Sequence, residues 1–369
     1  MLKKIKKKGL SWFFKRSILE FKSPYYPISK KIVFFIRKIN FFNRIFFSKI
    51  TSKEDNILYA FYDLNIEPNT FGDFGYFLVD VEIFANQHGK KNIFLWIIPR
   101  EIKVHADDEI YTKVLGEDNF EWRMNNMLVP MISLHPSFTG HGILSIGAKI
   151  NSITNHGLCY PENFSDTYRP RLPEFDVRRI NYQENFFQGL SAPSQAKKYI
   201  SDWTETLEID CRIISITLRN YSFDISRNSN IEEWVKFADW LDQKGYKPVF
   251  IPDADLTWGQ DNHLKNHLIF KEPCWNVALR MAMYEECDLN YFYSNGCASI
   301  AVLNKNVASI VMMPVVEDSI TCSEPNTMHD PEIDPRRLAF AQSNQWWSIE
   351  TDTFENLKKD FLEYELQHL

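Results

Sequence analysis

Residues 213–255 read IISITLRNYSFDISRNSNIEEWVKFADWLDQKGYKPVFIPDAD, and this stretch decides the fold. It opens with a short β-branched run that predicts a buried strand. Ser229 and Glu232 then form a capping-box pattern before a helix, which Gly245 ends. The helix has one apolar face, formed by Trp234, Phe237, Ala238 and Leu241. Residues 248–251 supply a second strand, so the stretch predicts a βαβ unit with parallel strands.

The same alternation continues on both sides of this stretch. Downstream, we predict a helix over 275–286, a strand over 289–293, a short helix after 294–296, a strand over 308–314 and a last helix over 352–366. Upstream, we predict a strand over 57–62, a helix over 74–87 and a strand over 90–99, with less distinct apolar runs at 127–134 and 143–146. Two successive series of strands and helices predict an α/β protein with two Rossmann-like domains.

The length of 369 residues and a hydrophobic fraction of 44% suit two domains with separate cores. We predict four parts: an N-terminal arm over 1–50, Rossmann-like domains over 51–190 and 191–350, and a C-terminal helix over 351–369. Six cysteines show neither a CxxC pair nor a histidine at zinc spacing. They favour reduced, mostly buried thiols of a cytosolic protein.

The N-terminal arm is basic and amphipathic. It carries 14 of the 42 Lys and Arg residues and one of the 48 Asp and Glu residues, a net charge of +13 against −19 in the remainder. A helical projection collects one apolar stripe, formed by Ile32, Phe35, Ile36, Ile39, Phe42, Phe46 and Ile50. The opposite side holds Lys30, Lys31, Arg37, Lys38, Arg44 and Lys49. This pattern predicts a helix that lies on an anionic membrane surface.

Two other interpretations of the arm stay open. In one, the stripe packs on the body of the protein and the cations are solvated. In the other, the cations bind nucleic acid, which the acidic body disfavours. The apolar run 32–36 is far shorter than the roughly 20 residues of a membrane span. Lys15 and Arg16 interrupt any secretory h-region, so we expect a cytoplasmic protein, peripheral on the inner face of the membrane.

Polar loops follow the strands of the second half, where parallel sheets bind ligands. Arg219, with Asn220 beside it, stands at a strand exit, and Arg227 precedes the next helix. We expect them to bind a diphosphate, because a guanidinium donates two charge-assisted hydrogen bonds to phosphate oxygens. The alternative is that each arginine pairs with a neighbouring carboxylate.

Two further loops extend this predicted site. Asp253 and Asp255 follow the next strand and suit hydrogen bonds from a ribose or a base, although aspartates also form solvated turns. The third loop supplies Ser294, Asn295, Gly296 and Ser299. Backbone N–H groups there would cradle a phosphate, but the same residues suit a tight turn without a ligand.

Residues 213–255 and 288–314 resemble the donor-binding half of GT-B glycosyltransferases, in which a strand-end arginine loop and a Ser/Gly turn hold the nucleotide diphosphate. The resemblance is one of pattern and matches no single subfamily. It implies a hexosyl or related transfer from a nucleotide sugar, bound by 191–350, to a cell-surface polysaccharide, lipid-linked or related glycan held by 51–190. No cofactor or metal is implied. Residues 65–72 depart from the family's Gly-rich first loop.

If the mechanism is inverting, the catalytic base should lie in the first domain, and three candidates lie in or beside that first loop. Asp63, Glu67 and Asp73 are each placed to accept the proton of the acceptor hydroxyl, with Asp63 at the strand end. Three histidines follow later apolar runs and are more typical of structural hydrogen bonding: His135, His141 and His156. Glu324 and Glu332 have the spacing of a glutamate pair in some retaining members, but the two prolines between them favour coincidence.

Two other functions fit the same fold. One is a sugar-nucleotide epimerase or hydrolase, which gives no reason for a membrane-binding arm. The other is a non-catalytic, membrane-docked binding protein. Fold analogy alone does not separate them from a transferase.

Overall fold

The structure is a computed structural model. It describes residues 15, 31, 56–100, 118–145, 147–154, 157–172, 187–221, 224–253, 264–293, 295–317, 319, 338 and 340–369. Apart from positions 15 and 31, the predicted arm lies outside these residues. None of the described helices has the length and hydropathy needed to cross a bilayer.

The described elements alternate along the chain. The strands are β1 (Ile57–Asp63), β2 (Asn92–Ile98), β3 (Phe138–Ile143), β4 (Cys159–Tyr160), β5 (Ile213–Thr217), β6 (Lys247–Ile251), β7 (Leu268–Ile269), β8 (Leu289–Tyr293), β9 (Ser309–Met312) and β10 (Gln345–Ser348). The helices are α1 (Phe71–Gln87), α2 (Asp118–Arg123), α3 (Val129–Ile132), α4 (Asn151–Thr154), α5 (Ser194–Thr206), α6 (Ile231–Gln243), α7 (Val277–Glu286), α8 (Cys297–Val302) and α9 (Phe354–His368). A π-helical turn, Met124–Leu128, joins α2 to α3.

Two parallel sheets organise these elements. One has the strand order β3-β2-β1-β4, and the other has the order β10-β9-β8-β5-β6-β7. Every strand pair in both sheets is parallel. In the second sheet, the chain starts at β5 and extends through β6 to β7 at one edge. It then returns to β8, beside β5, and extends through β9 to β10 at the other edge, which is the strand order of dinucleotide-binding folds. The predicted fold of two Rossmann-like α/β halves is confirmed.

The chain divides into two compact units that are discontinuous in sequence. The described part of the first unit is 56–68, 84–100 and 137–172. The described part of the second is 69–83, 118–136 and 187–369, with the gaps given above. The start of α1 therefore belongs to the unit that contains the second sheet.

The second sheet is buried, as parallel sheets are. All five residues of β5 and of β8 are buried, and the apolar face of α6 packs on them through Trp234, Phe237, Ala238 and Leu241. Trp234 also donates its indole N–H to Asp352, which precedes α9, at 2.8 Å. Burial of this carboxyl raises its pKa, and hydrogen bonds from Asn230 and Trp234 oppose the rise.

Two sequence-based predictions of local structure are wrong, and the structure assigns a third segment whose type was left open. Ser229 does not cap α6, because its hydroxyl accepts a hydrogen bond from the Arg219 N–H, and Asn230 is the N-cap residue. The helix predicted from residue 275 begins at Val277, where Asn276 caps it by accepting from Leu279 N–H at 3.0 Å. The apolar run 127–134 is helical, and the neighbouring strand is β3.

Candidate functional site

The β5 and β8 ends form the reversal point of the second sheet. These strands are adjacent, but the chain proceeds to opposite sides from them. Asn295, directly after β8, donates from Nδ2 to the carbonyl of Thr217, the last residue of β5, at 3.3 Å. The Asn295 carboxamide also accepts from Ala298 N–H at 3.1 Å. The predicted third loop is thereby fixed to the strand that leads to Arg219, at the place where such sheets bind ligands.

Arg219 is buried at the base of a folded loop. Its backbone N–H donates to the Ser229 hydroxyl at 2.8 Å, and its carbonyl accepts from Ser229 N–H at 2.9 Å. Its Nη2 donates to the carbonyl of Asp224 at 3.2 Å. Next to it, Asn220 N–H donates to the carboxylate of Asp253 at 3.1 Å. The structure therefore brings Arg219, Asn220 and Asp253 together, as predicted from their positions at neighbouring strand ends.

Arg227 is placed differently from Arg219. Its Nη1 lies 3.8 Å from the carboxylate of Asp224, and the latter is almost fully buried. The same carboxylate accepts hydrogen bonds of 2.7 Å from Ser226 and Ser319. Asp224 has φ 59°, so a non-glycine residue in a left-handed conformation shapes this loop. For Arg227, the structure therefore shows the alternative arrangement, in which the arginine pairs with a neighbouring carboxylate.

The start of α1 approaches the third loop closely. A Cβ added to Gly72 would lie 2.9 Å from the Ser299 hydroxyl, and one added to Gly296 would lie 3.3 Å from Phe71 Cβ. Thr70 and Asp73 hydrogen-bond to each other through their side chains, and Asp73 N–H donates back to the Thr70 hydroxyl at 3.3 Å. Asp73 is thus held in the first turn of α1. Its neighbour Gly72 packs against the segment that connects β8 to α8.

Arg123 is part of the site, and the sequence analysis missed it. It ends α2, its guanidinium lies 5.7 Å from the centre of the Tyr221 ring, and the Arg219 guanidinium lies 5.7 Å from the same ring. Arg123 Nη1 also donates to the carbonyl of Asn69, just before α1, at 3.1 Å. No local pattern marks this arginine, because the contact joins segments far apart in the sequence.

Cys297, the first residue of α8, lies within electrostatic range of several groups of the site. Burial raises the pKa of its thiol, Arg280 and Arg123 oppose the rise, and Asp253 and Cys274 add to it. The thiol is therefore neutral at ordinary pH.

Asp63 and Glu67 are bound within the first unit. Asp63 is buried, and its carboxylate accepts from Arg169 Nη1 at 3.2 Å and from Asn65 N–H and Nδ2 at 3.0 and 2.8 Å. Burial raises the pKa of Asp63, and Arg169 and Asn65 oppose the rise. Glu67 accepts from the backbone N–H of Leu172 at 2.8 Å. Both carboxylates hold loops of the first sheet together.

The other predicted residues are dispersed. His135 is buried and paired with Glu82 at 2.8 Å, and His141 lies on β3. Five of the residues singled out from the sequence lie outside the described residues: His156, Asp255, Ser294, Glu324 and Glu332. Within the described part of the chain, no three His, Cys, Asp or Glu residues are grouped so that they could hold a metal ion.

No protein-family model and no curated protein matches the chain. Among solved structures, the ADP-heptose LPS heptosyltransferase II of E. coli is 10% identical, with a TM-score of 0.48 over 84% of this chain and 98% of that chain. The iron-containing dodecameric glycosyltransferase TibC of enterotoxigenic E. coli is 14% identical, with a TM-score of 0.41 over 84% and 76%. A glycosyl transferase family 9 structure from Veillonella parvula is 9% identical, with a TM-score of 0.39 over 70% and 81%. All three identities are far below the level at which a shared activity would follow.

Proposed function

We propose that the protein is a glycosyltransferase that moves a sugar from a nucleotide-sugar donor to a glycan or lipid-linked acceptor. One observation carries this proposal. In the second unit, Arg219, Arg123 and the loop after β8 converge at the reversal point of a parallel sheet. Two guanidinium groups and a βα loop at that edge are suited to a nucleoside diphosphate.

The donor site uses the predicted loops with divided roles. Arg219 and Arg123 bind the diphosphate, joined by the loop residues Ser294, Asn295, Gly296 and Ser299. Asp253 binds the nucleoside, and Asp255 is expected to do so from its position in the sequence. Asn220 links the loop of Asp253 to the arginine loop by donating its backbone N–H to the Asp253 carboxylate. Arg227 supports the arginine loop through its ion pair with Asp224.

Among the three candidate bases we assign Asp73. Its helix turn adjoins the β8–α8 loop through Gly72, whereas Asp63 and Glu67 accept hydrogen bonds inside the first unit. Asp73 takes the proton of the acceptor hydroxyl, the acceptor oxygen bonds to the anomeric carbon, and the bond from that carbon to the diphosphate breaks. The arginines stabilise the negative charge on the departing nucleoside diphosphate, so the proposed reaction uses no metal or other cofactor.

The arm, residues 1–50, delivers the enzyme to its acceptor. Its +13 charge and opposed apolar stripe favour binding to the anionic inner face of a cytoplasmic membrane, where lipid-linked acceptors are found. A cytoplasmic, peripheral location follows from this proposal.

A ligand screen tests the donor half of the proposal. Purified full-length protein is melted with UDP-, GDP-, ADP- and CMP-linked sugars, and one nucleotide class should raise the Tm in a concentration-dependent way. Stabilisation followed by epimerised or hydrolysed sugar, with no acceptor required, would instead assign the epimerase or hydrolase. Stabilisation without turnover of any donor would assign the binding protein, and the absence of any response would reject the proposed site.

A further inference from the structure

Arg280, on α7, is a buried cation with no carboxylate partner in the part of the chain that the structure describes. Its exposed fraction is 5%, its Nε donates to the carbonyl of Pro273 at 2.8 Å, and its Nη1 donates to the Tyr284 hydroxyl at 3.0 Å. Among the described residues, no Asp or Glu forms an ion pair with it. Burying a guanidinium in this way is costly, since it stays charged at every accessible pH.

The groups around Arg280 do not balance its charge. Its largest electrostatic interactions are with Cys297, Tyr284 and Cys274. Burial raises the pKa values of Tyr284 and Cys297, so both are neutral at ordinary pH. Cys274 donates its thiol proton to the carbonyl of Pro252 at 3.0 Å. Among the described residues, the groups that interact most strongly with Arg280 are therefore uncharged, and none of them forms an ion pair with it.

Two hydrogen bonds connect Arg280 to the candidate donor site. The Tyr284 hydroxyl, which accepts from Arg280, also bonds to the Thr217 hydroxyl at 3.2 Å. Thr217 ends β5, immediately before the arginine loop, and its carbonyl accepts from Asn295 in the loop after β8. Arg280 is thus connected to both loops of the reversal point through hydrogen bonds of the buried residues Tyr284 and Thr217.

We infer that Arg280 is a positioning residue whose buried charge is balanced by the anion bound at the β5 and β8 ends. This inference rests on the proposed function, because the anion is the diphosphate of the donor or product. Arg280 holds Tyr284 against Thr217 and adds positive potential where the diphosphate lies, without touching it. In the ligand-free protein the buried charge destabilises the folded state, and the bound diphosphate offsets that destabilisation.

This assignment predicts that removing Arg280 does not lower the ligand-free Tm but does weaken diphosphate binding. A structural arginine would not show this combination. Arg280→Met replaces an uncompensated buried charge with an apolar side chain of similar length, so the ligand-free Tm should stay the same or rise. The substitution removes the guanidinium that donates to the Tyr284 hydroxyl and leaves the Thr217 hydroxyl as a partner that no longer has Arg280 to position it. Its response to inorganic pyrophosphate and to nucleoside diphosphates should weaken, with apparent affinity reduced roughly tenfold or more. Arg280→Lys keeps the charge and should recover part of that response.

Arg169→Met is the matched control. Arg169 is also largely buried, but it is paired with Asp63 in the first unit. Its removal leaves a buried carboxylate without that cation, so the ligand-free Tm should fall while the shift caused by pyrophosphate stays at the wild-type size.

The outcomes separate the inference from the proposed function. An Arg280→Met protein that melts well below wild type without ligand, or that responds to diphosphates as wild type does, would overturn the role of Arg280 and leave the donor site intact. A wild-type protein that responds neither to pyrophosphate nor to any nucleotide would overturn both. Loss of response in Arg280→Met, with recovery in Arg280→Lys, supports the inference.

Discussion

Arg219 and Arg227 illustrate what a sequence can say about single residues. Both lie in the same loop and both were expected at the diphosphate. In the folded chain Arg227 meets the buried carboxylate of Asp224, whereas Arg219 donates to the carbonyl of that residue and lies beside Tyr221. Arg123 lies beside the same ring but gave no signal in the sequence. Strand ends are visible in a hydrophobic pattern, but the partner of a long side chain depends on how its loop folds and, for Arg123, on a contact between distant segments.

The role of Arg219 can be tested by substitution. Arg219→Ala should lower kcat by about 10²-fold or more, because charge stabilisation of the leaving diphosphate is lost. Arg219→Lys should lower it less, since it keeps the charge but loses the two-pronged donor. Arg212→Ala is the control, because Arg212 is half-exposed and precedes the opposite end of the same strand. Turnover is measured beside circular dichroism and melting. Early melting of Arg219→Ala with normal turnover of the folded fraction would make the residue structural.

The choice of base separates Asp73 from Asp63. Asp73→Asn should reduce kcat by about 10²-fold or more at little cost in Tm, because asparagine can still hydrogen-bond to Thr70 but cannot take a proton. Asp63→Asn should instead lower the Tm, since it weakens the buried contact with Arg169. Steady-state kinetics and melting of both variants decide between them. The opposite pattern, with turnover lost in Asp63→Asn at normal stability, would move the base to the first unit.

At the scale of elements, the hydrophobic pattern predicts apolar strands well, and it predicts strands that contain glycine or polar residues poorly. The runs that became β1, β2, β5, β6, β8 and β9 were recognised because strands of a parallel sheet are covered on both faces. β3 was not predicted from the sequence, because it contains Gly140 and Gly142, whose missing side chains leave room for the rings of Phe94 and Trp96. β10 was missed because it contains Gln345, a polar residue that is buried. The Gln345 side chain donates to the backbone carbonyls of Asn304 and Val307. Tertiary contacts define these strands.

The backbone at Gly189 contacts both α1 and the residue that follows α8. It has φ 82°, its N–H donates to Glu82 of α1 at 3.1 Å, and an added Cβ would lie 2.3 Å from the carbonyl oxygen of Leu303 after α8. Gly189→Ala should therefore lower the free energy of unfolding by about 2 kcal/mol or more, through backbone strain and a clash with rigid backbone. Chemical denaturation measures the change.

Gly245→Ala is the control for this prediction. Gly245 has φ 88°, but an added Cβ meets nothing within 4 Å. The substitution should cost about 1 kcal/mol, the strain alone. Equal losses in the two alanine variants would show that the approach of Gly189 to Leu303 has no energetic consequence.

At the scale of the whole molecule, the charge division separates a basic arm from an acidic remainder of the chain. Removing residues 1–50 should leave a folded protein with its donor affinity, but without sedimentation on anionic liposomes, because the removed segment carries the +13 charge and the apolar stripe. Binding of the full chain should weaken as salt is raised, since screening shortens the reach of the cations. Liposome binding that is equal with and without the arm would reject its membrane role.

The most direct measurement of the central claim is sugar transfer itself. Full-length protein is incubated with the nucleotide sugar that stabilises it and with an anionic lipid-linked glycan fraction, and the released nucleoside diphosphate and the glycosylated acceptor are both quantified. The wild-type chain should give equal amounts of the two products, and Arg219→Ala and Asp73→Asn should give little of either. Donor binding with no sugar appearing on any acceptor, or transfer that is undiminished in both variants, would contradict it.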